Sequence, residues 1–407
     1  MEYHRLGDHI REVNVRNRDL KVTNLLGLSI EKRFIPSIAN TIGTDMSVYK
    51  IIKRNQFAYV PVTSRNGDKI TIALLDEEEA IISQAYTVFE IVSVETDGNV
   101  ETDGNVGTHG DVGSHGDVET HGRASLQTPI LPEYLMMWFR RPEFDRYARF
   151  HSHGSAREVF DWDELCNVML PIPSVDRQRE IVAEYETLSN RIRFNEQMIE
   201  KMEATAQALY RKMFVDGVDM ERLPEGWRLG CLTDIATYLN GIACQKFETK
   251  EKEYLPVLKI RELSQGCCDD NSDHVKKTIP KEFIIDNGDV VFSWSATLFI
   301  DIWCGEKCAL NQHLFKVTSA KYPTWYYFLW THNHIAEWKR LISAKATSMG
   351  HIKREDLESA EVIIPSDDAM KEMDVLMRPL FDSYVQKKSE NLKLIEIQSL
   401  LLARMGK

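Results

Sequence analysis

The chain is poor in the features that announce an enzyme or a membrane protein. No stretch approaches the roughly eighteen consecutive apolar residues of a spanning helix, and "MEYHRLGDHIREV" is charged from the start, so neither a transmembrane helix nor a secretory signal is expected. The seven cysteines, an odd number, contain no CxxC: Cys267 and Cys268 are adjacent, and Cys304 and Cys308 are loosely spaced. Free thiols in a reducing cytoplasm fit this better than a zinc site. His151 and His153 form a lone HxH that reads as exposed polar side chains rather than as metal ligands. A GxxxxGK[ST] phosphate loop is missing, which excludes a P-loop motor. An Asn/Asp-Pro-Pro-aromatic loop and a glycine-rich cofactor turn are missing too, which argues against methyl transfer to a flipped base. No separated Asp followed by a Glu-x-Lys marks a nuclease metal site. The chain reads as non-catalytic, with no metal site and no cofactor of its own.

Basic residues are absent from Val94–Gly122, where seven acidic residues (Glu95, Asp97, Glu101, Asp103, Asp111, Asp117 and Glu119) sit in the tandem hexapeptides VETDGN, VETDGN, VGTHGD, VGSHGD and VETHGR. This segment carries more than half of the net charge of −12, leaving −5 on the remainder, so net charge alone neither supports nor excludes a nucleic-acid partner. Five hexads are too few to bury the core of a β-solenoid. Their spacing also matches no calcium loop. The segment reads as an acidic insertion between a strand, "QAYTVFEIVSV", and a helix, "LPEYLMMWFRRPEFDRYARF".

What the sequence does contain is an internal duplication. Placing Ile172-Pro173-Ser174 on Ile364-Pro365-Ser366 sets an offset of 192 residues that pairs Asp176 with Asp368, Glu180 with Glu372, Leu188 with Leu380, Leu209 with Leu401 and Met213 with Met405 without a gap. "RLGDHI" and "CLTDIA" open the two halves alike. The expected plan is a globular domain at 1–169, a long helix at 170–217, a second domain at 218–362 and a C-terminal long helix at 363–407.

The first helix carries a heptad seam of Ile181, Tyr185, Leu188, Ile192, Asn195, Ile199, Met202, Ala206, Leu209 and Met213. The second carries a weaker one, in which Leu380, Tyr384, Leu394 and Leu401 stand beside Lys387, Asn391 and Gln398, and Pro379 is expected to kink it. Spacing of this kind sustained over several heptads favours the two helices pairing with each other. At 1.5 Å per residue, about forty residues make a rod of roughly 60 Å.

Taken together, the duplicated frame and its motifs resemble the specificity (S) subunit of type I DNA restriction-modification systems over nearly the whole chain. The signatures are "LPIPSVDRQREIV", "LPEGWRLGCLTDIA", "GDVVFSWSATLF", "SHGSAREVFDWDEL" and the run from "LLGLSIEKRF" to "GDKITIAL". The resemblance implies an α+β fold of two similar target recognition domains, with pseudo-two-fold internal duplication, joined by two long helices that form an antiparallel coiled coil. It also implies a bipartite double-stranded DNA target, read one half per domain. The partners would be two methyltransferase subunits bringing S-adenosylmethionine, and two motor-nuclease subunits, with ATP and Mg, can join them. The hexapeptide array is no part of the family pattern.

The expected DNA contacts are polar and aromatic residues in the loop-like parts of these motifs. In the first half they are Thr44, Asp45, Tyr59, Thr63, Ser64, Arg65 and Asn66, followed by the basic cluster Arg140 and Arg141 with Ser155 and Arg157. Arg65-Asn66 could read a guanine and an adenine, although Asn66-Gly67 is equally the signature of a plain hairpin turn. In the second half they are Ser293, Trp294, Ser295, Thr297 and His313. Trp294 either stacks on DNA or packs in the core. A coiled-coil scaffold without sequence-specific DNA binding is the alternative.

Overall fold

The computed structural model describes residues 2–37, 43–63, 69–92, 129–154, 157–295, 297–344 and 351–406. The hexapeptide array and the candidates Ser64, Arg65, Asn66 and Ser155 lie outside the described residues. The chain forms two compact units, Met1–Thr187 with Gln398–Lys407, and Leu188–Ile397.

Both units follow one plan. In the first, a four-stranded sheet has the order Ile10–Val13, Thr87–Ile91, Phe57–Tyr59, Ile72–Leu74. In the second, the order Thr237–Asn240, Leu314–Thr318, Val290–Ser293, Phe299–Ile302 repeats it strand for strand. A two-stranded ribbon closes each unit: Tyr3–Arg5 pairs antiparallel with Met169–Pro171, and Arg228–Cys231 pairs with Glu361–Ile364. The 192-residue offset runs through the helical parts. Helices begin at Pro132 and Thr324, at Trp162 and Arg354, and at Val175 and Asp367.

Equivalent residues make equivalent bonds. Tyr134 Oη donates to the Pro171 carbonyl at 3.0 Å, and Tyr326 Oη donates to the Ile363 carbonyl at 2.7 Å. Each Ile-Pro-Ser turn ends in an N-cap. Ser174 Oγ accepts from the Arg177 N–H at 3.4 Å and Ser366 Oγ from the Ala369 N–H at 3.3 Å, satisfying donors that a helix start leaves free. The recurrent turn therefore does one job twice, which is to start a long helix.

Those helices are Val175–Phe214 and Asp367–Arg404. In the second unit, Asn195 bonds to Asn391 and Glu203 lies beside Tyr384, so one helix advances while the other retreats and the pair is antiparallel. Ile199, Met202, Leu209 and Leu380 pack on the core that contains Tyr384, whereas Leu188, Ile192 and Leu394 are half-buried. In the first unit, Ile181 and Tyr185 share a core with Leu401, Leu402 and Met405. Each fully buried side chain of this size contributes about 1.5–3 kcal/mol.

One expectation needs correction. The helix expected at 131–150 is two helices, Pro132–Arg140 and Pro142–Phe150, because Pro142 pushes Arg141 into an extended conformation (φ −67°, ψ 136°). Pro379 lies inside the C-terminal helix, which continues through it. Both Pro379 and Val375, whose carbonyl loses its partner, are exposed to solvent.

Where the first unit inserts the acidic array between the strand ending at Ile91 and the helix starting at Pro132, the second passes from Thr318 to Thr324 through Ser319–Pro323.

Candidate nucleic-acid interface

In the first unit, strand Phe57–Tyr59 leads to Thr63 at a point where three segments meet. The Thr63 N–H donates to the Glu158 carbonyl at 3.0 Å, and Val62 and His153 both bridge to Val159. Thr63 Oγ1 donates to Ser152 Oγ at 3.1 Å, and Ser152 Oγ in turn donates to the Ala148 carbonyl at 2.7 Å. His151 Nδ1 lies 3.0 Å from Glu164 Oε2, with His153 Nε2 at 3.7 Å from the other oxygen. Thr63 is itself buried and holds this junction together, while Arg157, Arg149 and Arg146 are exposed around it.

Several first-half candidates fall elsewhere. Tyr59 is fully buried among Phe89 and Phe160, so it is a core residue and not a DNA contact; the same burial raises its phenol pKa. Arg141 is also buried. Its guanidinium stacks on Trp138 at 4.1 Å, and a Cβ on Gly406 would overlap it at 2.3 Å. It fills space in the core and is not available to phosphate. Arg140 is half-buried, over the Tyr185 ring at 5.5 Å. Thr44 and Asp45 are exposed, but Asp45 caps the turn at Met46–Val48 by accepting the Ser47 N–H at 2.9 Å, and the Ser47 hydroxyl together with that N–H lowers its pKa.

In the second unit, the counterpart strand Val290–Ser293 leads to Trp294. Trp294 is half-buried, and its Nε1 donates to Asn240 Oδ1 at 3.0 Å. Its ring lies 6.0 Å from His313, 5.8 Å from Phe315 and 5.8 Å from His351, centroid to centroid. Ser295 is buried, with its Oγ 3.3 Å from His313 Nδ1, and it bridges to His351. Asn311 Oδ1 accepts the His313 N–H at 3.2 Å and fixes that turn. His313 and Thr297 are exposed. Ser293 is fully buried and so is no contact residue; its hydroxyl donates to the Ser295 carbonyl. Gly241 permits the approach, since a Cβ there would sit 2.3 Å from the Asn311 carbonyl oxygen.

Trp294, Ser295 and His313 thus come together. Asn240 and His351 join them from far along the chain, and sequence reasoning missed both. The Asn240-Gly241 pair was the available signal, being a turn dipeptide like Asn66-Gly67.

Among the described residues, no group of three or more His, Cys, Asp or Glu could hold a metal ion, and no helix is long and apolar enough to cross a membrane.

A sheet-and-helix unit built twice, each copy tied to long paired helices and each ending the same strand in a polar and aromatic loop cluster, defines a duplicated α+β protein. Residues 224–394 match the family described as the type I restriction modification DNA specificity domain. The chain is 23% identical over 297 residues to the type I restriction enzyme MjaIX specificity subunit of Methanocaldococcus jannaschii, covering 68% of each. The S subunit of a type I restriction-modification system from M. genitalium shares the fold, with a TM-score of 0.53 and 10% identity over 100% of this chain and 96% of that one. The HsdS subunit from Thermoanaerobacter tengcongensis aligns at a TM-score of 0.33 and 15% identity, over 100% and 96% of the chains. The stretch 224–394 thus carries the likeness to the type I restriction modification DNA specificity domain, and the wider chain is similar to specificity subunits.

Proposed function

We propose that this chain is the non-catalytic DNA sequence-recognition subunit of a type I restriction-modification complex, reading a bipartite duplex with one recognition domain per half-site. The carrying observation is a conserved plan with unlike ends. The same strand of the same four-stranded sheet leads to Thr63, His151–Gly154 and Arg157 in one unit, and to Trp294, His313, Asn240 and His351 in the other. Two copies of one scaffold that differ in their loops suit two half-sites of different sequence.

On this reading the recognition domains are 1–169 and 218–362, and the helices at 170–217 and 363–407 carry the docking of two methyltransferase subunits. Those subunits supply S-adenosylmethionine and methylate adenine, and two motor-nuclease subunits using ATP and Mg complete a restriction complex in the cytoplasm. The DNA contacts are Thr44, Arg157, Trp294, Thr297 and His313, together with Ser64, Arg65, Asn66 and Ser155, while Thr63 and Ser295 hold the loops in place.

A map of N6-methyladenine across the genome, with and without this gene, tests the reading. Loss of methylation at one bipartite motif is the expected result. An unchanged map in a strain that expresses the partner methyltransferase would overturn it in favour of a scaffold that reads no sequence.

A further inference from the structure

We infer that Phe150 is a base-stacking residue of the first recognition domain, a role that rests on the DNA-recognition reading above. Phe150 is the last residue of helix Pro142–Phe150 and is 81% exposed, more than any other large apolar side chain among the described residues. Rigid packing, not looseness, puts it there. Phe144 and Ala148 bury the opposite face of the short helix, with Phe144 against Phe139 at 4.8 Å. The Asp145 carboxylate is held by the buried Lys32 ammonium at 2.7 Å and accepts the Ile70 N–H at 3.0 Å. The helix is held through its buried face and through Asp145, and its final aromatic ring is held out into solvent, edge-on to the His151 ring at 5.2 Å.

The surroundings decide which partner suits the ring. Its neighbours along the chain are Arg146, which pairs with Glu143 at 3.4 Å, and Arg149, then His151, Ser152 and His153, with exposed Arg157 beyond; the acid that faces the histidines, Glu164, is already engaged by both. A protein-docking patch would present several apolar side chains together, with charge depleted at its centre. One aromatic ring among cations and hydroxyls is instead the composition of a nucleic-acid wedge: the cations track phosphate and the ring takes the base face that opens where a duplex step unstacks. Ser152, two residues on, is the hydroxyl tied to Thr63, so the ring stands two residues along the chain from that junction.

The test uses the complex of this chain with its methyltransferase partner and a duplex bearing the motif found by methylation mapping, with 2-aminopurine placed in turn at positions within and beside the first half-site. Phe150→Ala should weaken binding to this duplex roughly 5- to 150-fold and abolish the fluorescence change at one position. Phe150→Trp should preserve both, and the thermal midpoint should not move in either variant. Wild-type affinity and fluorescence in Phe150→Ala would overturn the inference. So would loss of co-purification with the methyltransferase while the complex that does form binds DNA normally, since the ring would then contact protein. If the wild-type complex prefers no sequence, the recognition reading itself fails and takes this inference with it.

Discussion

Asn195 donates its side-chain amide to the side-chain oxygen of Asn391 at 2.8 Å, from a position wholly shielded from water. The two residues sit in the seams of opposite helices, flanked by apolar side chains, and the Asn195 oxygen has no hydrogen-bond partner. A polar pair at this place penalises every register except the one that joins the two amides.

Asn195→Leu alone should therefore cost about 1–3 kcal/mol, because it strands the Asn391 amide. The double variant Asn195→Leu/Asn391→Leu should recover most of that loss or exceed the wild type. Urea unfolding of the wild type, Asn195→Leu, Asn391→Leu and the double variant gives the coupling; additive single effects would show that the pair does not act as a unit.

Arg141 and Arg157 should separate stability from DNA affinity. Arg141→Ala removes a guanidinium stacked on Trp138 and should lower the thermal midpoint, with the salt dependence of DNA binding intact. Arg157→Gln removes an exposed charge and should leave the midpoint alone, while reducing the slope of log K against log salt by about 0.9. Salt titrations on matched duplexes check both.

Replacing residues 94–122 by a short connector should leave folding and the methylated motif unchanged, because the second unit makes the same strand-to-helix connection with Ser319–Pro323. Loss of methylation after this replacement would assign the array a direct role.

Burial lowers the pKa of His334 below its ordinary 6.5, outweighing Glu337 and Glu361, and its Nε2 lies 2.9 Å from the Glu361 carbonyl oxygen. The fold thus favours the neutral ring, and the unfolded chain binds the proton more readily. Stability from this residue is complete above about pH 6.5 and declines as pH falls below it. His334→Gln keeps an N–H donor without the titration, so its urea midpoint should fall less between pH 7.5 and 5.5 than that of the wild type. An identical fall would exclude His334 as a source.

The duplication, the two long helices and their seams were legible in the sequence because each depends on local spacing. A heptad seam shows as a 4,3 rhythm whatever lies opposite. The partner within the seam was not legible. The 192-residue offset sets Asn195 against Lys387, whereas antiparallel packing gives it Asn391, and Lys387 pairs with Glu390 on its own helix at 2.8 Å. The candidate interface was read in part. Trp294, Ser295 and His313 were found, but Asn240 and His351 reach Trp294 only through the sheet and the chain that returns to it.

The sequence by itself determined the repeated plan, the places where helices start and the face each one must bury. Tertiary structure alone decided which polar residues meet water. Arg141 and Tyr59 look like contact residues until Trp138 and Gly406 close over one, and Phe89 and Phe160 over the other. At the equivalent place in the second unit, Phe214 packs on Trp330 at 5.4 Å where the first unit sets Gly406 and the Arg141 guanidinium beside Trp138. One cavity shape is filled in two ways, because burial depends on the summed volume of side chains that come from distant parts of the chain, and no local pattern records that sum.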